Sequence, residues 1–492
     1  MKFLGAMTRV TEPVRTPAGL TLLALVAVGF VIRVGAMMAV RPIAYGLYDS
    51  GTYLAGAVGD KPGGVFADTH HAVGYSVFLR FVGWFTDSGS VLAMVQHGLG
   101  LVSGVLIWTA LRRLGANIAV AAIGAIAVLW NFELVQLEHS ILSEALYVPA
   151  LAAGFSAAVW AATTRARAAV PLAMLAGLSA AVAYSARYPG ILWIAAVIVI
   201  AVFAGQRSGL KARALRGAAV GIASLVLLLS YVGAQGGALN MGLDFFPGEG
   251  WNAYAGIAAA ADCKRFTPPP GTRKLCDKTP VSKRPTAPEF YTWNGASPAF
   301  KLEPRGFPYS DALFAKFAAA ASASVTARGA VDAAPSGGPF ARYTQPVVRY
   351  LGPSGALASF LAVNRSQEAY ERGASQAVFQ LAPISYGSPG TGFEDMKQVV
   401  RISGGMLLIL IAVSALALIR ARRFRLEMLA CWAFVYINWV VAGTYNPRYA
   451  VPLAVVGVLA GCFALMGLLD RSPQRESHHR NVAEAGDRSG GW

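Results

Sequence analysis

Long apolar runs, separated by short polar stretches, dominate the pattern of residues along the chain. A helix of about twenty residues is long enough to cross a hydrocarbon core of about 30 Å, and most of these runs reach or approach that length. One soluble core cannot bury so many separate runs. The pattern therefore predicts an all-α polytopic membrane protein with about ten transmembrane helices, at 20–40, 91–111, 118–134, 141–161, 170–186, 191–203, 214–232, 402–419, 426–442 and 449–469.

Three polar stretches between these runs have chemistry of their own. Residues 41–90 include two amphipathic pieces, around 53–58 and 75–85, which are expected to lie as interfacial helices in the plane of the membrane surface. Residues 130–143 form a short connection rich in ionisable side chains. The third stretch, 233–401, is long enough for a soluble substructure that packs on the outer face of the bundle. Helical patterns in it are predicted at 312–327, 340–351 and 357–381.

Of the 492 residues, 55% are hydrophobic and 14% are charged, whereas soluble domains carry about 25% charged residues. The formal net charge of +17 would by itself also suit a nucleic-acid-binding protein. The cations, however, form short clusters between apolar runs, as is typical of cytoplasmic loops. The expected partners are therefore membrane lipids, and nucleic acid is excluded. These clusters are at 112–113, 165–167, 207–216 and 420–425.

Threading the helices from a cytoplasmic N-terminus places every basic cluster on the cytoplasmic side and returns the C-terminus there. A cleaved signal peptide within residues 1–40 is the alternative, but Arg33 would interrupt its apolar core. The Ala- and Gly-rich, Arg-dominated composition indicates a GC-rich bacterial genome, and hence a bacterial inner membrane. The predicted organisation is a cytoplasmic N-terminus (1–17), seven spans (18–232) with a catalytic first outer loop (41–90), an extracytoplasmic segment (233–401), three spans (402–469) and a disordered cytoplasmic tail (470–492).

Four cysteines divide into two kinds by position. Cys431 and Cys462 fall inside apolar runs and are expected to be packing residues. Cys263 and Cys276 fall in the extracytoplasmic segment, where the compartment is oxidising, so we expect a disulfide that closes this short loop. Two free thiols are the alternative.

The most distinctive polar cluster follows the first span. Asp49 is placed just outside the membrane, where a carboxylate can act as a general base towards an acceptor hydroxyl. It also precedes a helical stretch, so capping the free N–H groups of that helix is an equal alternative. Downstream, Asp68, His70 and His71 are weak candidates for the ligands of a divalent metal, because neighbouring His side chains need not point the same way. No cofactor is firmly predicted.

Five short elements follow one another along the chain, and all fall on the outer side of the predicted topology. They are Asp49-x-x-x-Tyr53, Gly74-Tyr75-Ser76-Val77-Phe78-Leu79, Ser143-Glu144-Ala145-Leu146, Arg187-Tyr188-Pro189-Gly190 and Arg448-Tyr449-Ala450-Val451-Pro452. These elements resemble those of the membrane glycosyltransferases of the C superfamily, which include protein O-mannosyltransferases and the lipid A aminoarabinose transferase. The resemblance leaves out the long outer segment, and the family's first loop usually has two prolines that are missing from Ala72-Val73-Gly74-Tyr75-Ser76.

The resemblance implies transfer of a sugar from a polyprenyl-phosphate carrier to a glycan, lipid or protein acceptor on the outer face. It implies that Asp49 is the general base and that the reaction inverts the sugar. Arg187 and Arg448 are the expected ligands of the donor phosphate, because a guanidinium binds such oxygens bidentately. Arg33, inside the first span, is expected to snorkel to the interface or to pair with a carboxylate such as Glu144, and direct contact with the donor is the alternative. The predicted substrate-binding residues are Tyr53, His70, His71, Tyr75, Glu138, His139 and Glu144, and Trp251 is a further candidate for stacking on a sugar ring.

A transporter or flippase of a lipid-linked glycan is the alternative from a different class, since it would use similar cations and outer helices. Transporters place several ionisable groups at mid-membrane, often on broken helices. Here the outer acids and arginines gather at helix ends on one side, which favours a reaction at one face. The sugar, the acceptor, the linkage and the oligomeric state stay open at this stage.

Overall fold

The computed structural model describes residues 16–41, 43, 49–59, 63–67, 71–164, 166–204, 209–285, 288–307, 309–324, 385–386, 404–421, 423–442 and 453–470. In the first half, the helices are α1 (Pro17–Ala39), α2 (Ser50–Val58), α3 (Gly74–Gly83), α4 (Gly89–Arg113), α5 (Ile118–Leu129), α6 (Phe132–Glu138), α7 (Glu144–Thr163), α8 (Ala166–Ala186), α9 (Ile191–Phe203) and α10 (Leu210–Ala238). The later helices are α11 (Glu249–Ala258), α12 (Pro288–Trp293), α13 (Pro298–Leu302), α14 (Asp311–Ser324), α15 (Gly404–Arg420), α16 (Arg425–Ala442) and α17 (Val458–Leu469).

Short elements complete the description. Strand β1 (Val40–Arg41) pairs antiparallel with β2 (Ser385–Tyr386), with Val40 opposite Tyr386. Single turns of 3₁₀-helix occur at Gly64–Ala67, Tyr188–Gly190, Arg273–Leu275 and Val281–Lys283, and a π-helical turn, Leu453–Gly457, leads into α17.

Among the described residues, five helices are long and apolar enough to cross a membrane: α1, α4, α7, α8 and α10. Shorter apolar helices occur at Ile118–Leu129, Tyr188–Phe203, Ile409–Arg420 and Ala454–Leu469. A described helix overlaps each of the predicted spans, so the fold is that of a polytopic helical membrane protein. The count of ten crossings stays a prediction.

Close helix contacts in the bundle depend on small residues. At Gly177 of α8, an added Cβ would lie 2.3 Å from the carbonyl oxygen of Val220 on α10. At Gly104 of α4, it would lie 2.4 Å from the side chain of Leu129. Helices surrounded by lipid gain little from apolar burial alone, so close backbone approach through small residues is the main source of packing energy. The Ala- and Gly-rich composition therefore has a structural use here.

The two ends of the bundle differ in chemistry. At one end, arginines join helix termini: Arg113 donates to Thr163 Oγ1 over 2.6 Å, Arg216 to the Ala162 carbonyl over 3.0 Å, and Arg423 pairs with Asp470 at 3.1 Å. The opposite end has α2, α3, α6 and the Tyr188–Gly190 turn. This separation is the one that the basic clusters predict. The assignment of the arginine-rich end to the cytoplasm stays a prediction.

The first outer loop is fixed on the bundle through backbone and hydroxyl contacts. Its amphipathic pieces are helical, as α2 and α3. Ser50 Oγ of α2 donates to the Ile141 carbonyl over 2.9 Å, and the Val73 N–H donates to the Tyr231 hydroxyl of α10 over 2.8 Å. At Gly74, an added Cβ would lie 2.3 Å from Ser185 Oγ of α8, so a side chain at this position would push α3 away.

Residues 239–324, in the segment predicted to be extracytoplasmic, form a small helical unit with an aromatic core. Trp251, Tyr254, Tyr291, Phe314 and Phe317 are buried there, and Trp251 stacks on Phe314 with ring centroids 4.1 Å apart. The expectation that Trp251 stacks on a sugar is therefore wrong for this structure, because both the ring and its N–H are used inside the unit.

Covalent and polar links hold this unit together. A disulfide joins Cys263 to Cys276. The Asp311 carboxylate accepts hydrogen bonds from the N–H groups of Gly250 and Trp251, both at 2.9 Å, and so satisfies the first turn of α11 from a distant part of the sequence. Of the predicted helices in the outer segment, 312–327 corresponds to α14, whereas 340–351 and 357–381 lie outside the described residues.

Candidate functional site

Asp49 and His71 face each other at the non-basic end of the bundle. Asp49 Oδ1 lies 3.2 Å from His71 Nε2, and the two side chains are 30% and 20% exposed. Asp49 occupies the position before α2, yet its side chain makes no capping hydrogen bond to that helix. The capping alternative is therefore not realised. A partly exposed carboxylate beside an imidazole is a suitable arrangement for exchanging a proton with a bound hydroxyl.

An aromatic layer lies directly beneath this pair. The Tyr53 ring lies 5.0 Å from the His71 ring and 5.1 Å, edge to face, from Tyr75, which stacks in turn on Phe78. Tyr53 is 3% exposed and Tyr75 is fully buried. Both were expected to contact substrate, but in this arrangement their faces are covered by each other and by their neighbours. They support His71 from below.

Tyr75 connects the first outer loop to the membrane helices. Its hydroxyl donates to Gln96 Oε1 of α4 over 2.5 Å, and Gln96 Nε2 donates to the Glu138 carbonyl over 2.7 Å. Burial raises the pKa of Tyr75 well above its ordinary value, and the charges of Tyr53 and Glu144 add to that effect. Tyr75 is therefore a neutral hydroxyl at any physiological pH, and it serves as a donor in a fixed position.

A fully buried charge network lies deeper in the same part of the bundle. The Arg33 guanidinium binds the Glu138 carboxylate through two bonds of 2.8 Å, and it also donates to the Gly29 and Leu129 carbonyls. His97 connects Glu138 Oε2, at 3.0 Å, to His139 Nδ1, also at 3.0 Å. Four ionisable residues, each at most 4% exposed, thus form one continuous cluster.

This network differs from expectation in the partner of Arg33. Arg33 pairs with Glu138 and not with Glu144, because α6, which the sequence pattern did not predict within the 130–143 connection, places Glu138 against α1 and α4. Glu138 and His139 were predicted to bind substrate, and the structure places both in the buried interior. A direct substrate contact for either one stays a prediction.

Glycine makes room for the charges. A Cβ on Gly100 of α4 would lie 1.9 Å from Glu138 Oε1 and 2.7 Å from Arg33 Nη2. Gly29 of α1 is similarly close to its neighbours, since a Cβ added there would lie 3.0 Å from the Leu129 carbonyl oxygen and 3.4 Å from Arg33 Nη1. The network therefore fits because two helices present no side chain at these points.

Glu144 and Arg187 form a second ion pair of the site. Glu144 begins α7 and is 1% exposed at its side chain, whereas Arg187, which follows α8, is 12% exposed. Arg187 is held by the tight Tyr188–Gly190 turn: a Cβ on Gly190 would lie 2.5 Å from the backbone of α8, so only glycine fits. This explains in physical terms why the Arg-Tyr-Pro-Gly element ends in glycine.

Several predicted residues are outside the described part of the chain: Asp68, His70 and Arg448. Within the described part, no group of three or more His, Cys, Asp or Glu side chains is arranged to hold a metal ion. Three polar residues of the bundle were not predicted from the sequence: Gln96, His97 and Asn438. The Asn438 side-chain amide lies 3.5 Å from the Tyr147 hydroxyl. Their position within apolar helices could have identified them, because polar side chains there are costly unless they have a partner.

Comparison with known proteins gives a limited set of matches. No protein-family model matches the sequence, and no curated protein matches it. Among solved structures, the S. cerevisiae protein O-mannosyltransferase Pmt1–Pmt2 complex bound to the sugar donor is 16% identical with a TM-score of 0.37, over 56% of this chain and 39% of its own. The Archaeoglobus fulgidus oligosaccharyltransferase in the apo form is 15% identical with a TM-score of 0.43, over 94% of this chain and 52% of its own.

The present chain spans about half the length of one of them and less of the other.

Proposed function

We propose that this protein is a membrane glycosyltransferase of the C superfamily, which moves a sugar from a polyprenyl-phosphate carrier to an acceptor hydroxyl at the outer membrane surface. The observation that supports this most directly is Asp49, a partly exposed carboxylate that makes no capping bond to its helix and faces His71 at 3.2 Å. Its position in the first outer loop, at the end of the bundle away from the arginine clusters, agrees with the sequence resemblance.

In the proposed reaction, Asp49 accepts the proton of the acceptor hydroxyl while the hydroxyl oxygen attacks the anomeric carbon. The bond between that carbon and the phosphate oxygen breaks, and the polyprenyl phosphate leaves with the electron pair. A single displacement of this kind inverts the configuration of the sugar. His71 orients the Asp49 carboxylate, because its Nε2 is within contact distance of one carboxylate oxygen.

The leaving phosphate needs nearby positive charge. Arg187 is the described candidate, and Arg448 is expected to join it from the last outer connection. Arg187 is already paired with Glu144, which fixes the direction of its guanidinium. A guanidinium has five N–H donors in a fixed fork, a geometry that suits the oxygens of a phosphate.

Replacing Arg187 with Gln is expected to weaken donor binding more than acceptor binding, raising the donor KM by about tenfold or more, since charge-assisted bonds contribute about 1.5–3 kcal/mol each. Arg448→Gln should do the same. Donor titrations by turnover and by direct binding would measure the effect. Arg273→Gln, an exposed arginine on the outer segment, is the matched control and should leave the donor KM unchanged. Unchanged donor affinity in Arg187→Gln would move this role to another residue.

The experiment that tests the proposed function is a transfer assay in nanodiscs with a panel of polyprenyl-phosphate sugars. The quantity measured is the polyprenyl phosphate that is released. Hydrolysis or transfer of at least one donor is expected, and the donor that reacts identifies the sugar. No turnover of any donor, together with movement of a lipid-linked glycan between leaflets in proteoliposomes, would instead support the transporter alternative.

A further inference from the structure

The stretch 263–284 of the outer segment, here called the disulfide loop, carries an unusual excess of exposed cations. Its backbone is closed by the Cys263–Cys276 disulfide and continues through the Val281–Lys283 turn. Six of its basic side chains are exposed: Lys264, Arg265, Arg273, Lys274, Lys278 and Lys283. A seventh, Arg284, is buried. The loop therefore has one cation inside the fold and six on its surface.

Arg284 shows what a structural cation in this loop does. Its guanidinium donates to the carbonyls of Ala258, Ala261, Asp277 and Thr279 at 2.7–3.1 Å, and so attaches the loop to the end of α11. The six exposed cations instead direct their charge towards solvent. Within the described residues, one of them, Arg265, is paired with a carboxylate, at 3.6 Å from Asp262.

Carboxylates in and beside the loop are fewer than its cations. Asp262 and Asp277 accept backbone N–H groups two residues ahead, at 3.0 and 2.9 Å. Asp311 binds the start of α11. Glu303 is held by Arg305 and Ser310, and the bonds from Arg305 lower its pKa to about 2. Within the loop itself, Asp277 is the one carboxylate beside six exposed cations, so the exposed surface of the loop is net positive.

The loop is also rigid before anything binds. Leu275 is buried in the aromatic core, and its carbonyl accepts the Tyr254 hydroxyl at 3.2 Å. The Phe266 ring packs against Phe317 at 5.4 Å. Three consecutive prolines, 268–270, restrict the backbone between these anchors. Cations on a preorganised frame bind an anionic partner without a large cost in backbone ordering.

We propose that the disulfide loop is the docking surface for an anionic glycan acceptor, a polymer with repeated phosphate or carboxylate groups. A bilayer surface fits less well, because Val281 is the one large apolar side chain exposed within the described loop, too little for insertion. The exposed cations are spread along the loop from Lys264 to Lys283, and a polymer with repeated anionic groups can contact several of them at once, which a short acidic peptide does less well. The role as acceptor site rests on the proposed function, whereas binding of a polyanion does not.

The test uses the full-length protein in phosphatidylcholine proteoliposomes with the outer face exposed, as checked by protease protection. The probes are dextran sulfate and neutral dextran of equal length. Wild-type protein should bind dextran sulfate in a salt-dependent manner and should not bind neutral dextran. Lys264→Ser/Arg273→Ser/Lys274→Ser should bind about tenfold more weakly, since each exposed charge pair contributes modestly.

Two matched controls isolate the loop charge. Lys264→Arg/Arg273→Lys/Lys274→Arg keeps every charge and should bind like wild type, and so should Lys316→Ser, an exposed lysine on α14. Equal affinity of the serine variant and wild type would overturn the proposal. The proposal would also be overturned if the protein bound polyglutamate more strongly than dextran sulfate. Stronger binding of vesicles containing phosphatidylglycerol than of dextran sulfate would overturn it as well. Donor hydrolysis should be unchanged in the serine variant, so failure of the transferase assignment would be seen separately.

Discussion

Asp49→Asn is expected to lower sugar transfer by about 10²–10⁴-fold, the range over which a positioned general base accelerates a reaction. The amide has the same shape but cannot accept the proton of the acceptor hydroxyl. Because the Asp49 side chain makes no capping bond to α2, the substitution should leave the fold and membrane insertion intact. Initial rates with saturating donor, measured beside thermal unfolding, would show the separation of activity from stability.

Asp87→Asn is the matched control for this experiment. Asp87 is an exposed carboxylate in the same outer loop, and the same change there should leave the rate within about twofold of wild type. His71→Gln should lie between the two, since it removes the group that orients the carboxylate and leaves the carboxylate itself. Near-normal turnover by Asp49→Asn would remove Asp49 from the base role.

Glu138→Ala is expected to destabilise the protein by about 3–5 kcal/mol, because it leaves the Arg33 guanidinium buried without its carboxylate. The unfolding temperature should fall by an amount on the order of 10 °C, or the protein should fail to accumulate. The loss should extend to the first outer loop, since the backbone of residue 138 accepts the Gln96 bond that holds Tyr75. Thermal unfolding in detergent would measure the effect.

The double variant Arg33→Met/Glu138→Leu distinguishes a broken charge pair from a general packing defect. Replacing both charges with apolar groups of similar size should recover most of the lost stability, as buried ion pairs often tolerate. Glu249→Ala, an exposed acid in the first turn of α11, is the control and should cost less than about 1 kcal/mol. A double variant as unstable as Glu138→Ala would mean that the charges themselves are required.

Hydrophobic pattern and local chemistry were enough to predict the long apolar helices of this fold. The apolar runs predicted the membrane helices, since each must satisfy its backbone internally in lipid and so reads as a continuous stretch. The amphipathic pieces of the first loop are α2 and α3. Cys263 and Cys276, which were expected to pair because an oxidising compartment is predicted for their segment, form a disulfide. Asp49 was singled out by its place after a span, which the sequence shows directly.

The side-chain pairs that connect distant helices of the bundle could not be predicted from the sequence. Arg33 is 105 residues from Glu138, and no local pattern specifies which carboxylate a buried arginine will find. The pairing of Arg33 with Glu138 depends on α6, a short helix within a polar connection, and on Gly100, which has no side chain and so leaves room for the two charged groups. Similarly, Trp251 was a candidate for stacking on a sugar ring, whereas the packing of α11 on α14 places it inside an aromatic core.

The sequence by itself indicated the membrane helices, the gathering of the basic clusters at one end of the bundle and the candidate base, because these follow from local hydropathy and charge. The tertiary structure alone decided that Asp49 faces His71, that Glu144 holds Arg187, and that Tyr53 and Tyr75 lie beneath the site with their faces covered. Each of these depends on the close approach of helices far apart in the chain, and that approach is set by packing, which hydropathy does not encode.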